Sequence, residues 1–108
     1  MVRAFINWRE ATIAKDAADS DAIPFGDYAQ GGYAIPSSFD GTSMGFKVSA
    51  DNGASFVGFN NDSGAVVQTV SAGRAYAMPI GMFPFTHFKF SAGSLQATAR
   101  VIQVSLKY

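Results

Sequence analysis

Cysteine is absent from the 108 residues, which excludes a disulfide framework, a thiolate metal site and a cysteine nucleophile. Histidine and glutamate each occur once, as His87 and Glu10, so little remains from which to build a metal centre or a general acid–base pair. Eight basic and eight acidic side chains cancel, and no segment gathers the Lys and Arg residues into the basic patch that a nucleic-acid partner requires. No window approaches the roughly 20 apolar residues of a membrane span, and the opening MVRAFINWREAT has no apolar core of signal-peptide length. The expectation is a soluble chain with no leader and with neither nucleic acid nor membrane as partner.

Charge is also scarce, at 15% of residues against roughly 25% in ordinary soluble domains, whereas ten Phe and four Tyr are present. Low charge, zero net charge and abundant aromatics in a short chain admit two readings. Another subunit covers part of the apolar surface, or the core is rich in phenylalanine. The length corresponds to one domain, residues 1–108, able to remove about two-thirds of its unfolded surface from water.

The clearest structural signal is MGFKVSADNGASFVGF, Met44 to Phe59. Met44, Phe46 and Val48 alternate with Gly45, Lys47 and Ser49, the period of a strand with one buried face, and Asp51-Asn52-Gly53 then supplies residues that tolerate positive φ. A hairpin is expected there. Val2 to Trp8 alternates as an opening strand, and Glu10 to Ala22 reads as strand followed by loop in preference to a short helix. Pro24 removes an amide donor and belongs on an edge. Gly31-Gly32 inside Tyr28 to Ile35 marks a bulge or a close backbone approach. Ala65 to Val70 and Arg74 to Met78 are short strands, IGMFPF is an apolar connection, and His87 to Ser91 places Phe88 and Phe90 on one face. In the final strand, Ala97 to Tyr108, residues Ile102, Val104, Leu106 and Tyr108 face the core. About eight to ten short strands with turns every 8 to 12 residues and no helix predict an all-β fold, a single antiparallel β-sandwich of jelly-roll type.

Constellations that could carry chemistry are weak. His87 is the only imidazole, set between Thr86 and Phe88 in an aromatic strand, with no nucleophile or carboxylate spaced to serve it. Asp16, Asp19 and Asp21, and Asp51 with Asp62, lack the regular spacing and terminal glutamate of a calcium loop, and turn-forming aspartate accounts for them. The expectation is therefore a protein that is not an enzyme, with no catalytic, cofactor-binding or metal-binding residues and no cofactor. Trp8, Tyr28, Tyr33 and Tyr76 could instead form the flat platform of a carbohydrate-binding sandwich, or pack in the core.

Ala22-Ile23, Gly26-Asp27-Tyr28-Ala29, Ile35-Pro36, Phe39, Gly41-Thr42-Ser43, Phe46 to Gly53, Asn61 to Gly64 and Ala72 to Tyr76, in this order and spacing, resemble small β-rich virion structural proteins of tailed bacteriophages. The resemblance covers about half the chain and rests on turns and strand edges. It implies a capsid decoration or cement protein that binds the outer surface of the major capsid protein shell, as a homo-oligomer or a shell-bridging subunit. Such a protein is made in the bacterial host cytoplasm and located in the virion. A tail or head-to-tail component is the neighbouring alternative, and a carbohydrate-binding module the alternative of another class. The cluster Phe83, Phe85, Phe88 and Phe90 is the candidate partner interface, with burial in the core as its competing assignment.

Overall fold

A computed structural model describes residues 6–108, so Val2 to Phe5 of the expected opening strand lie outside the described residues. Antiparallel strands dominate. In chain order they are β1 (Ile6–Ile13), β2 (Ile23–Pro24), β3 (Gln30–Ala34), β4 (Ser43–Ser49), β5 (Val57–Gly58), β6 (Asn60–Asn61), β7 (Gly64–Ala65), β8 (Val67–Thr69), β9 (Ala75–Ala77), β10 (His87–Ala92) and β11 (Arg100–Lys107), with one 3-10 turn at Ile80–Met82.

The first sheet runs β1-β11-β3-β9 and the second β2-β10-β4, with β5 and β8 both paired to the far side of β4. Leaving aside the short β5, β6 and β7, successive strands alternate between the sheets except at β4 and β8, which are neighbours in one. That is the strand order of a jelly roll. Eleven segments appear where eight to ten were expected because the outer strand beside β4 is broken. Val57–Gly58 pairs with Val48 and Lys47, the chain leaves the sheet as the ribbon β6–β7, and Val67–Thr69 rejoins it opposite Ser43 to Gly45.

The core forms between the sheets because the alternating strands each turn one apolar row inward. Met44, Phe46 and Val48 from β4, Phe88 and Phe90 from β10, and Ile102, Val104 and Leu106 from β11 are all buried. Tyr33 reaches across from the first sheet, its ring centroid 5.0 Å from that of Phe90 and 6.0 Å from that of Phe46. Its hydroxyl donates to Gln68 Oε1 on β8, while Gln68 Nε2 donates to the Ala77 carbonyl at 3.0 Å, so one polar link ties the two sheets at their margin. Burial pushes the Tyr33 hydroxyl's pKa well above its ordinary value, which keeps it a donor. The IGMFPF connection is apolar for the same reason as the strands: Met82 and Phe83 close the sandwich, and Ile80 is turned to solvent.

Two turns show how local chemistry sets the chain path. Between β4 and β5, Asn52 and Gly53 take φ of 61° and 91°. Asp51 fixes this turn by accepting from Ser55 Oγ at 2.5 Å, Ser49 Oγ at 2.7 Å and Ser55 N at 2.9 Å, bonds that lower its carboxyl pKa to about 2. At one pole the buried Gln96 joins three loops. Its amide donates to the carbonyls of Asp40 and Ser94 and accepts from Asp40 N, and its backbone pairs with Asp16 and Ala17. The close approach expected at Gly31-Gly32 is real: a Cβ on Gly31 would lie 2.8 Å from the Ser105 carbonyl oxygen and 2.9 Å from Leu106 Cδ2.

Candidate interaction surfaces

Each sheet leaves an outer face, and the two differ in chemistry. On the first sheet the register sets Trp8, Ser105, Gly32 and Ala77 in one row, with Glu10, Gln103, Ala34 and Ala75 in the next. Thr12 and Val101 flank these rows on one side, Lys107 and Gln30 on the other. Large side chains stand on the β1 edge and small ones on the β9 side, so the face slopes. Glu10 and Lys107 are its only charges among the described residues. Alanine and glycine are poor strand formers, so placing three Ala and a Gly outward sacrifices propensity without gaining solvation. Trp8 is 66% exposed here, a large apolar surface on an otherwise low face.

The second sheet presents cations. Lys47 and Lys89 lie directly opposite each other on β4 and β10, a juxtaposition that repels unless compensated. Asp19 supplies the compensation by pairing with Lys47 Nζ and accepting from Ser91 Oγ at 2.8 Å, and the Lys89 ammonium sits 4.5 Å above the Phe56 ring. Burial raises the Asp19 pKa, but the bonds from Lys47 and Ser91 outweigh it and hold the carboxyl below its ordinary value. Beside this group the β6–β7 ribbon walls a groove of about 290 Å³, lined by Gly45, Lys47, Gly58, Phe59, Val67 and Ser91 among others. Val57 and Val67, 64% and 57% exposed, stand along the broken edge.

The expected partner interface needs correction. Phe88 and Phe90 are fully buried and Phe83 nearly so, while Phe85 is half-buried against Phe59. Phe25 packs at a tilt against Phe83 and edge-on against Phe88, at centroid distances of 5.0 Å and 4.8 Å, so these rings are bound up in the sandwich interior and unavailable to a partner. Tyr108, expected to face the core, is 66% exposed beyond the end of β11 and stacks on Tyr28.

The four aromatics considered as a sugar platform are not brought together. Trp8 points out of the first sheet, Tyr33 points into the core, Tyr76 is half-buried beside it, and Tyr28 lies with Tyr108. His87 faces outward from β10, opposite in facing to Phe88, as the alternation requires. Its Nδ1 stands 3.0 Å from Thr86 Oγ1, whose hydroxyl donates to the Ser49 carbonyl, and its ring lies against Gly53 of the turn. Asp21 accepts from Thr12 N at 2.7 Å and Asp40 pairs with Arg100 at 3.2 Å, so these carboxylates serve loop structure. Among the described residues no three His, Asp or Glu side chains converge.

No family model matches the chain, and no curated protein matches it in sequence. Among solved structures it resembles the crystal structure of the SPBc2 prophage-derived protein YomS, at a TM-score of 0.61 and 11% identity, over 100% of this chain and 99% of that one. At this identity the likeness is one of fold, end to end.

Proposed function

We propose that this chain is a bacteriophage virion structural protein, most specifically a capsid decoration or cement protein that adheres to the major capsid protein shell without catalysing a reaction. The observation that carries the reading is the jelly-roll frame, superposable over its whole length on a prophage-derived protein. Two further features support it. Six phenylalanines and Tyr33 are committed to a packed core, so docking of the sandwich costs little conformational entropy. The outer face of the first sheet carries few charges, a surface suited to contact with another protein. On a symmetric shell many copies of a weak contact combine into stable attachment.

Shells stripped of the protein test this directly. Purified chain added back should bind to saturation and raise the temperature at which the shells rupture. Binding to tails with bare shells left untouched would reassign the protein to a tail or head-to-tail role. Glycan binding that is lost in Trp8→Ala would favour a carbohydrate-binding module instead.

A further inference from the structure

We propose that Asn52 is a self-modification site, at which the Asn52-Gly53 pair converts to isoaspartate with loss of ammonia, and that the folded turn withholds the reaction by holding the Gly53 amide on Ser49. The inference concerns the chain's own chemistry and does not rest on the adhesive reading above.

The reaction needs water alone. The Gly53 nitrogen gives up its proton to solvent hydroxide and attacks Asn52 Cγ. The N–Cγ bond forms, the Cγ–Nδ2 bond breaks, and the side-chain amide takes a proton from water and leaves as ammonia. Water then opens the five-membered imide at either carbonyl, which gives aspartate or, where the chain now runs through the side chain, isoaspartate. Glycine hinders this attack least, because no side chain stands beside the nucleophile. Asn52 is exposed and Gly53 half-buried. Asn52 also borders a cavity of about 320 Å³ with Asp27, Thr86 and His87, so water has access.

The fold opposes ring closure. With φ of 61° at Asn52 and 91° at Gly53, and Ala54 N donating to the Asp51 carbonyl at 3.4 Å, Asp51 to Ala54 form a type I′ turn. In that turn the Gly53 nitrogen lies nearly opposite Asn52 Cβ across the Cα–C bond, whereas ring closure needs the two eclipsed. The Asn52-Gly53 peptide must therefore flip. The flip breaks the bond from Gly53 N to Ser49 Oγ at 2.8 Å. Ser49 is fully buried and its hydroxyl donates to Asp51 Oδ1 at 2.7 Å, so the acceptor cannot follow. His87 bears on the same residue, since a Cβ on Gly53 would lie 3.4 Å from its Nε2. Reaction then waits on local opening of the turn.

The product cannot return to the same turn. Isoaspartate adds a carbon to the backbone and a negative charge beside Asp51, so the pairing of Val57 and Gly58 with Val48 and Lys47 loses its anchor. Asn61 provides an internal control. It precedes Asp62, and its Oδ1 is engaged by Ser63 N at 2.8 Å.

Peptide mapping by mass spectrometry, with isoaspartyl methyltransferase labelling, follows the reaction in the full chain at one pH and temperature. In guanidinium chloride Asn52 should gain one dalton and accept methyl groups ahead of Asn60 and Asn61. The folded wild type should react at least about tenfold more slowly than the unfolded chain. Folded Ser49→Ala should react about fivefold faster than the folded wild type, as expected for the loss of one hydrogen bond. Asp51→Ala, which loosens the turn without touching the core, should also be faster, and circular dichroism shows whether each variant is folded. Should Ser49→Ala fail to fold, Asp51→Ala decides in its place. An Asn52 that stays unmodified in denaturant overturns the proposal, as does a folded wild type that reacts as fast as the unfolded chain. A folded Ser49→Ala no faster than the wild type overturns it as well.

Discussion

Phe88 and Phe90 alternate with His87, Lys89 and Ser91 along β10, and the alternation divides the strand between core and outer surface. Truncating either phenylalanine removes a fully buried ring from between the sheets. Phe90→Ala should therefore cost about 3–5 kcal/mol, read as a lower midpoint in denaturant unfolding. Phe85→Ala, half-buried at the margin, should cost clearly less. Asp51 gives a prediction in pH. Its folded pKa of about 2 lies below the ordinary 3.8, so its bonds to Ser49 and Ser55 contribute stability that is complete above pH 4 and lost as pH falls through 2. The melting temperature of the wild type should exceed that of Asp51→Ala at neutral pH, and the two curves should converge across that window. A constant gap would mean that the turn does not depend on the carboxylate's charge.

At the scale of the elements, the sequence makes some strands plain and hides others for a physical reason. β4, β10 and β11 bury one face and expose the other, so period two is visible in Met44-Phe46-Val48, Phe88-Phe90 and Ile102-Val104-Leu106. The strand beside β4 sits on an edge with both faces partly wet, and Val57, Val67 and the β6–β7 ribbon show no such period. The break in it could not be seen. In β1 the apolar residues change sides: Trp8 points outward whereas Ala11 and Ile13 point inward, so its facing was undecided from the residues alone. The Phe83 to Phe90 cluster was legible as apolar, but apolarity does not distinguish a core from an interface. The pattern that does mark an outward face, small residues at alternate positions of β3 and β9, emerges only once register aligns them with Trp8.

The ribbon itself can be tested as an element. Val66 N donates to the Phe59 carbonyl at 3.0 Å across its base, so joining Phe59 directly to Val66 removes Asn60 to Ala65 with little rearrangement of β4. Since those residues are mostly exposed, the shortened chain should fold, with a melting temperature within a few degrees of the parent, roughly a change of 1 kcal/mol or less. Failure to fold would show that the excursion supports the sheet edge.

For the whole molecule, the outer faces of the two sheets differ in chemistry: the first is nearly uncharged, and the second carries Lys47, Lys89 and the ribbon groove. As the proposed cement protein, the sandwich would bridge neighbouring shell subunits, and shell symmetry would fix how many copies are bound. The most direct measurement is the number of copies of this chain in gradient-purified phage particles, by quantitative mass spectrometry against the major capsid protein. Decoration of the shell predicts on the order of hundreds of copies in fixed ratio to that protein. A chain absent from the particles, or present at about a dozen copies or fewer as a tail component would be, would contradict it.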